Sequence, residues 1–324
     1  MIVECTQVER LRHKNMRILV TGATGFIGKA LVKKLSESSS HDIICLVRNP
    51  HKAESLKPLG VKLIYADITE KGSLNKILDY EVDVIFHCAG CVKNKNPDLL
   101  HKVNVLGTEN ICELAKGLKA KRFIYISSVA VVSGNPQVPL KEDLPFSATN
   151  IYGQSKIEAE KIVLQYRQKD LPVVIIRPPM VYGEAEPHML KLLVFLIKRR
   201  WLPLINEGKS KFHLAYVKNV VDFMIFALDN DECLKESFFV ADKEVFNVAE
   251  VFSIIGQAVG AKKPIKLSKF LGGLLLKLPH IGKKVGFFLK DRVYSIERAE
   301  SLGFSPGYSA EENLTKSARS FLKG

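Results

Sequence analysis

The chain has 324 residues, and its 47% hydrophobic and 25% charged residues are ordinary for a soluble protein with one large α/β domain and a smaller appendage. It contains no run of 18 apolar residues, and residues 1–15 are charged without an apolar core, so neither a membrane-spanning helix nor secretion is indicated and a cytoplasmic location is expected. The net charge of +14 is local, since residues 262–292 contain nine Lys or Arg and a single acid.

Apolar runs of strand length recur through the first half of the chain, at residues 18–20, 43–47, 62–65, 84–88, 122–127 and 173–176. Helix-like periodicity lies between them, at about 26–38, 72–79, 98–118 and 152–168. This alternation predicts an α/β fold of the Rossmann type, a doubly wound parallel sheet covered on both faces. Ligands of such sheets bind at the carboxyl ends of the strands.

A glycine-rich segment follows the first predicted strand, with the sequence Thr21-Gly22-Ala23-Thr24-Gly25-Phe26-Ile27-Gly28. Glycines allow the backbone to turn sharply, approach a pyrophosphate and pack a helix against the strand, and the helix N-terminus favours an anion. The segment therefore predicts a dinucleotide site contacted by Gly22, Thr24, Gly25, Phe26, Ile27 and Gly28. The alternative is an ordinary strand-to-helix turn.

Arg48 ends the second strand, where an acidic residue would bind a ribose 2′-hydroxyl and an arginine would accept a 2′-phosphate. It therefore favours NADP(H) over NAD(H), and Lys52 adds a second candidate contact. The alternative for Arg48 is a surface position in a basic protein. No metal is expected, because the pair Cys88 and Cys91 lacks a second pair of ligands.

Two further strand ends carry candidate cofactor contacts. Asp67, followed by Ile68, closes the third strand, where its carboxylate either binds an adenine amino group or caps the next helix. Ala89 and Gly90 close the fourth strand and let a cofactor pass close to the backbone. His87, just before them, is interpreted as a satisfied core histidine.

Tyr152 and Lys156 are four residues apart on a predicted helix and therefore share one face. The ammonium group, together with a cationic nicotinamide, would lower the phenol's pKa from about 10 toward 7. Ser128, or Ser127 as the alternative, would hold a substrate oxygen against the phenol. Asn104 lies in the middle of a predicted helix and is expected to support the site.

In order and spacing, these motifs and the segment Arg177-Pro178-Pro179-Met180-Val181-Tyr182-Gly183 resemble the extended short-chain dehydrogenase/reductase family. The resemblance covers about residues 16–320. It implies that Tyr152 is the general acid/base, that Lys156 lowers its pKa and binds the nicotinamide ribose, and that Ser128 orients the substrate. Pro178 to Val181 would contact the nicotinamide end, and helices 98–118 and 152–168 would form a homodimer.

Two departures from the family pattern bear on the substrate. Residues 129–134 lack the usual tyrosine, and residues 211–214 lack the Arg-Asp pair common in nucleotide-sugar members. The second departure weakens the nucleotide-sugar alternative and favours the branch that resembles 3β-hydroxysteroid dehydrogenases and dihydroflavonol reductases. We expect an NADP(H)-dependent oxidoreductase that interconverts a secondary alcohol and a ketone on an apolar small molecule. The alternatives are a nucleotide-sugar epimerase or dehydratase, and an NADP(H)-binding protein without turnover.

The expected organisation is a polar extension over 1–15, a dinucleotide-binding domain over 16–182 and a mostly helical substrate region over 183–324. Residues 213–249 are expected to return to the main sheet. The basic apolar stretch 270–290 is either a lid over the substrate or a contact with an anionic membrane surface. Nucleic acid is not an expected partner, because this charge lacks interleaved aromatic side chains.

Overall fold

The structure is a computed structural model that describes residues 15–37, 41–92, 95–187, 189–268, 272 and 286–322. Nearly all of the predicted polar extension, and most of the stretch 270–290, lie outside these residues. The chain divides into two compact units. The first comprises Met1–Asn135, Pro145–Arg177 and Val221–Phe238, and the second comprises Pro136–Leu144, Pro178–Val220 and Phe239–Gly324.

The strands are β1 (Arg17–Thr21), β2 (Asp42–Val47), β3 (Lys62–Tyr65), β4 (Val84–His87), β5 (Arg122–Ile126), β6 (Val173–Arg177), β7 (Met180–Tyr182), β8 (Leu204–Ile205), β9 (Lys211–Tyr216), β10 (Ser237–Phe239), β11 (Val245–Asn247) and β12 (Lys266–Leu267). The helices are α1 (Phe26–Glu37), α2 (Pro50–Ala53), α3 (Pro97–Leu100), α4 (Gly107–Gly117), α5 (Ile151–Gln168), α6 (Met189–Lys198), α7 (Val217–Asp229), α8 (Val248–Ala258), α9 (Glu297–Ser301) and α10 (Ala310–Ser320).

The first unit contains a seven-stranded sheet in the order β10-β6-β5-β4-β1-β2-β3. Each pairing from β6 to β3 is parallel, and β1 lies between β4 and β2. Both faces are covered, since consecutive β1 residues such as Ile18, Leu19 and Val20 are all fully buried. The predicted Rossmann-type fold is confirmed. Strand order reverses between β1 and β4, which is where such sheets bind ligands.

One face of this sheet packs against α4 and α5. Leu19 and Ile85, on neighbouring strands, form a core cluster with Ile111 of α4 and with Ala159 and Val163 of α5. Because side chains alternate along a strand, the neighbours of Leu19 on β1 and of Ile85 on β4 point to the opposite face of the sheet. This packing fixes α5, which carries Tyr152 and Lys156, against the sheet.

Two predicted helices have a different local form. Residues 72–79 form a 3₁₀ helix at Lys71–Ile77. Residues 98–118 form α3, a π-helical turn at His101–Leu106 and α4 in succession. A π-turn widens the helix by one residue and is frequent at functional sites. Here it contains Asn104.

The second unit contains a three-stranded sheet, β11-β9-β7, and a two-stranded sheet, β12-β8. Two boundaries therefore differ from those expected from the sequence. The part of the dinucleotide-binding unit before β7 ends at Arg177 rather than 182, because Met180–Tyr182 pairs with β9, and the unit resumes at Val221–Phe238. The return to the main sheet is also shorter than residues 213–249, since only β10 joins it and β9 pairs with β7 and β11.

Candidate active site

The glycine segment forms a tight turn between β1 and α1. Gly22 has a φ of +69°, and a Cβ there would lie 2.5 Å from the Ala89 nitrogen. A Cβ at Gly28 would lie 2.2 Å from the Gly22 carbonyl oxygen, so neither position accommodates a side chain. The turn leaves a cradle at the N-terminus of the 12-residue α1. This cradle fits the pyrophosphate of a dinucleotide.

The other residues of the segment border the same cradle. Gly25 is exposed, and its N–H donates to the Gly22 carbonyl at 2.8 Å. Thr24, Phe26 and Ile27 are partly exposed in the turn and the first residues of α1. Their position is consistent with cofactor contacts, which remain a prediction.

His87 lies in a buried hydrogen-bond chain beneath this cradle. Its Nδ1 is 2.7 Å from the Thr21 hydroxyl, and its Nε2 is 3.0 Å from the Thr108 hydroxyl. Burial, and secondarily Lys156, lowers the pKa of His87 to about 3, so the ring is neutral. The Thr21 hydroxyl also accepts from the Ala89 N–H at 3.3 Å. His87 thus ties β1, β4 and α4 together, as the core-histidine interpretation expects.

Asn104 joins three parts of the site through its side-chain amide. Its Oδ1 accepts from the Cys91 N–H at 2.7 Å, and its Nδ2 donates to the Cys91 carbonyl and to the Ser155 hydroxyl, each at 2.9 Å. Asn104 is 1% exposed. It therefore acts as a positioning residue that holds the loop after β4, which carries Ala89 and Gly90, against α5.

Lys156 is buried at the end of β5. Its Nζ donates to the Tyr125 hydroxyl at 3.0 Å and to the Ile126 carbonyl at 2.8 Å. Burial lowers the pKa of the ammonium group to about 8, although the neighbouring Glu160 opposes this shift. A Cβ at Gly90 would lie 3.9 Å from Nζ. The ammonium group therefore faces the backbone that the cofactor is expected to follow.

Tyr152 lies in the first turn of α5, which Asn150 caps by accepting from the Gly153 N–H at 2.8 Å. Burial raises the pKa of the Tyr152 phenol to about 12, although a hydrogen bond with the Ser128 side chain opposes this shift. The Lys156 ammonium group donates to Tyr125 and Ile126, and the lowering of the phenol pKa by Lys156 together with a bound nicotinamide stays a prediction. Tyr152 and Ser128 are nevertheless brought together as predicted.

Ser127 and Ser128 have separate roles. Ser127 is buried and its hydroxyl donates to Glu160 Oε2 at 2.9 Å, so it faces away from the phenol. Ser128 is half-buried, and its hydroxyl accepts from the Ala130 N–H at 3.2 Å. The geometry therefore favours Ser128, the first choice from the sequence, over Ser127.

Sequence reasoning missed three buried residues behind the site. Arg177 Nε donates to Glu160 Oε1 at 2.7 Å, and neither side chain is more than 6% exposed. Tyr125 holds the ammonium group of Lys156. Each of the three is a polar residue within an apolar strand or on the buried face of α5, a pattern that signals a buried polar partner.

The candidate residues for the adenosine half of the cofactor lie at the ends of β2 and β3. Arg48 is 69% exposed, and its Nη1 lies 3.6 Å from Asp67 Oδ2. Asp67 Oδ1 accepts from the Thr69 N–H at 2.9 Å within the turn, whereas the N-cap residue of the following 3₁₀ helix is Glu70, so Asp67 does not cap that helix. Lys52 is exposed on α2, whereas Ile68 is buried and faces Gly107.

Pro178 and Val181 belong to the second unit. Pro178 is its first residue after Arg177, and Val181 pairs with Ala215 between β7 and β9. Their contact with the nicotinamide end stays a prediction. Among the residues that the structure describes, no three His, Cys, Asp or Glu side chains are grouped to hold a metal ion, and no helix is long and apolar enough to cross a membrane.

A model of the NAD dependent epimerase/dehydratase family matches residues 18–249, which include the glycine turn, Ser128, Tyr152 and Lys156. The chain belongs to this family. The resemblance to extended short-chain dehydrogenases/reductases is thereby confirmed, and this epimerase/dehydratase family member is an enzyme of nicotinamide-dependent type.

Relatives of this family member have different activities. A UDP-glucose 4-epimerase of Vibrio cholerae is 29% identical, over 94% of this chain and 95% of its own. A 2-alkyl-3-oxoalkanoate reductase of Stenotrophomonas maltophilia is 27% identical, over 93% of this chain and 98% of its own. The structure of UDP-glucuronic acid 4-epimerase from Bacillus cereus in complex with NAD shares the fold, with a TM-score of 0.76, 23% identity and coverage of 95% of this chain and 99% of that one.

Proposed function

We propose that this protein is an NADP(H)-dependent oxidoreductase that interconverts a secondary alcohol and a ketone on an apolar or lipidic small molecule. The observation that carries the proposal is the pairing of the Tyr152 phenol with Ser128, one helical turn before the buried Lys156. The bound nicotinamide would supply hydride to the ketone carbon, or accept it from the alcohol carbon.

Tyr152 serves as the proton donor for reduction. Because its pKa is raised to about 12, the phenol is protonated at neutral pH. It donates this proton to the carbonyl oxygen as negative charge develops there, and solvent restores the phenol. Oxidation would need a phenolate at the same position.

Ser128 and Lys156 orient the reactants. The Ser128 hydroxyl, already within reach of the phenol, would donate to the substrate oxygen and hold it against Tyr152. An ammonium group has three donors, and Lys156 directs two of them to Tyr125 and Ile126. The third, beside Gly90, would bind a hydroxyl of the nicotinamide ribose.

NADP(H) is favoured by the charge at the end of β2. Arg48 lies in the position that discriminates a ribose 2′-phosphate from a 2′-hydroxyl. Its guanidinium is mostly exposed and only loosely paired with Asp67, at 3.6 Å, so a phosphate can displace the carboxylate without a large cost.

The buried, uncharged side chains of β9 favour an apolar substrate. Phe212 and His213, within the segment that lacks the Arg-Asp pair of nucleotide-sugar enzymes, are both buried. His213 Nε2 donates to the Asp242 carbonyl at 2.6 Å, and burial lowers the pKa of the ring, so this position offers no cation to a diphosphate. The similarity to the Stenotrophomonas reductase of 2-alkyl-3-oxoalkanoates supports the same class.

Nucleotide-sugar epimerisation is the second candidate, and the similarity to the Vibrio epimerase over almost the whole chain favours it. The two candidates share Ser128, Tyr152 and Lys156. They differ in whether the cofactor is consumed. A reductase oxidises one NADPH per turnover, whereas an epimerase regenerates its cofactor within each cycle.

The decisive experiment offers the purified protein NADPH with ketosteroids, 2-alkyl-3-oxoalkanoates and UDP-sugars, and follows both NADPH oxidation and product formation. Ketone-dependent oxidation that is lost in Tyr152→Phe supports the proposal. UDP-glucose to UDP-galactose interconversion without net NADPH consumption would assign the protein to the second candidate. NADPH binding by thermal shift with no turnover of any ketone or sugar would contradict both.

A further inference from the structure

The second unit carries an exposed surface, rich in cations and large apolar side chains, that the catalytic residues do not use. It is formed by residues 191–201, along α6 and the turn after it, together with residues 262–266. We call it the α6 surface. Its exposed apolar residues are Leu192, Phe195, Trp201 and Ile265, and its exposed cations are Lys191, Lys198, Arg199, Arg200, Lys262, Lys263 and Lys266.

The two segments are joined into one surface by backbone contacts. The Leu204 N–H donates to the Ile265 carbonyl at 2.8 Å, and β8 pairs in parallel with β12. Arg200 Nε donates to the Lys263 carbonyl at 3.2 Å. The cations of α6 and those of residues 262–266 therefore lie on neighbouring parts of the fold.

The exposed apolar residues are additional to those that bury α6. The helix packs into the second unit through Leu190, Leu193, Val194 and Ile197, all at most 5% exposed. Leu192 and Phe195 follow each other at a spacing of three on a different side and are each 42% exposed. Trp201 is 64% exposed. Because other side chains already bury the core-facing side of α6, these three exposed residues are not needed to pack the helix.

The aromatic residues are held in place by a cation. The Arg199 guanidinium lies 3.9 Å from the centroid of the Phe195 ring and 5.7 Å from that of Trp201. The two rings are 5.8 Å apart at an interplanar angle of 81°. This ordered arrangement keeps two large apolar groups at the surface next to a positive charge.

All charged side chains of the α6 surface are positive. Residues 189–204 and 259–268 contain seven Lys or Arg and no Asp or Glu. A partner must therefore present many negative charges together with apolar material. Lysine and arginine stems can lie along apolar surface while their charges reach an anionic layer, and tryptophan favours the boundary between water and hydrocarbon.

We propose that the α6 surface binds the face of an anionic lipid bilayer, with Trp201, Phe195 and Leu192 inserted at the headgroup level. Charge complementarity and the large exposed apolar side chains support a lipid partner. A single-stranded nucleic acid is disfavoured, because its bases stack on open ring faces. Here Arg199 covers one face of Phe195, and Trp201 is nearly perpendicular to it.

The test is flotation of the full-length protein with vesicles of phosphatidylcholine alone or with phosphatidylglycerol added. One variant, Lys198→Glu/Arg199→Glu, reverses two charges of the α6 surface, and its charge-matched control is Lys33→Glu/Lys116→Glu, on exposed positions of the first unit. A second variant, Trp201→Ala, removes the exposed ring, and its control is Leu78→Ala, at a position 54% exposed. Thermal unfolding confirms that each variant folds.

We expect salt-sensitive binding only to the anionic vesicles, weakened at least about 25-fold by the charge reversal, because each Lys or Arg near an anionic surface contributes about fivefold. Trp201→Ala should weaken it about tenfold, and both controls should bind like the unchanged protein. Absence of binding to anionic vesicles overturns the proposal. So does binding that survives both α6 variants, or a single-stranded oligonucleotide that binds more tightly than the vesicles and displaces them.

Discussion

Arg177 and Glu160 form a buried ion pair directly behind the catalytic helix, with 2.7 Å between Arg177 Nε and Glu160 Oε1. Glu160 lies one turn after Lys156 on α5, and its second oxygen accepts from Ser127, the neighbour of Ser128. The carboxylate therefore connects the end of β5, the end of β6 and α5. It also raises the pKa of the Lys156 ammonium against the larger, opposite effect of burial.

Glu160→Gln should destabilise the protein by about 3 kcal/mol or more, because it leaves the buried Arg177 charge without its counter-charge. The free energy of unfolding from urea titrations measures this effect. The matched control is Glu113→Gln, which breaks an exposed pair with Lys71 at 2.7 Å and should cost about 0–1 kcal/mol. Equal losses of stability in the two variants would show that the buried pair of Glu160 and Arg177 contributes no more than the exposed pair.

Tyr152→Phe should lower kcat for ketone reduction about a hundred- to ten-thousand-fold, since it removes the proton donor and little else. The dissociation constant for NADPH should change by less than about threefold. Steady-state kinetics and a fluorescence titration measure the two quantities. Tyr166→Phe, on the same helix, is the control and should keep full activity. A variant of Tyr152 that remains active would exclude the phenol as the acid.

Lys156→Met should change how stability depends on pH. The pKa of Lys156 is lowered from 10.5 to about 8, so between these values the unfolded chain holds a proton that the folded protein has lost. The unchanged protein should therefore gain about 3 kcal/mol relative to the variant as pH rises from 8 to 10.5. Urea unfolding at several pH values measures the difference, with Lys161→Met as the exposed control. If the free energy of unfolding depended on pH in the same way in the unchanged protein and in Lys156→Met, the lowered pKa of the buried ammonium group would be contradicted.

Asp242→Asn should stabilise the protein at neutral pH. Asp242 Oδ1 accepts from the Tyr216 N–H at 2.7 Å and from Asn219 at 2.8 Å, whereas Oδ2 has no hydrogen-bond partner within the described ranges. Burial raises the pKa of this carboxyl from 3.8 to about 6, so the folded protein loses stability as pH rises between these values.

The variant should gain about 2–3 kcal/mol at pH 7 and little at pH 4, because only the charged carboxylate carries the cost of burial. Thermal or urea unfolding at the two pH values measures the gain. Asp143→Asn, at an exposed position in the same unit, should show no such pH-dependent gain. A variant that is less stable at pH 7 would mean that the hydrogen bonds to the charged carboxylate outweigh the cost of burying it.

Arg48→Asp should change cofactor preference, because it replaces the charge that accepts a 2′-phosphate with one that repels it. We expect the ratio of kcat/KM for NADPH to that for NADH to fall about ten- to a hundredfold. Initial rates with each cofactor measure the ratio, and Lys161→Asp controls for the change in net charge. An unchanged ratio would place Arg48 outside the cofactor site.

The sequence alone determined the sheet, the glycine turn and the pair Tyr152 and Lys156, because each depends on residues close together in the chain. Apolar runs alternate with helical periodicity, glycines mark the tight turn, and a spacing of four places two residues on one helical face. The return to the sheet was predicted too broadly, since periodicity identifies a strand such as β9 without identifying the strand it pairs with.

Only the tertiary structure decided which serine faces the phenol, which groups hold the Lys156 ammonium, and that Glu160 meets Arg177. These contacts join residues 17 to 33 positions apart and depend on how α5 packs against β5 and β6. Burial, which sets the pKa values of Tyr152 and Lys156, is likewise a property of packing. Local sequence specifies which elements form, but the partners and the solvation of each side chain follow from contacts that the chain makes only when folded.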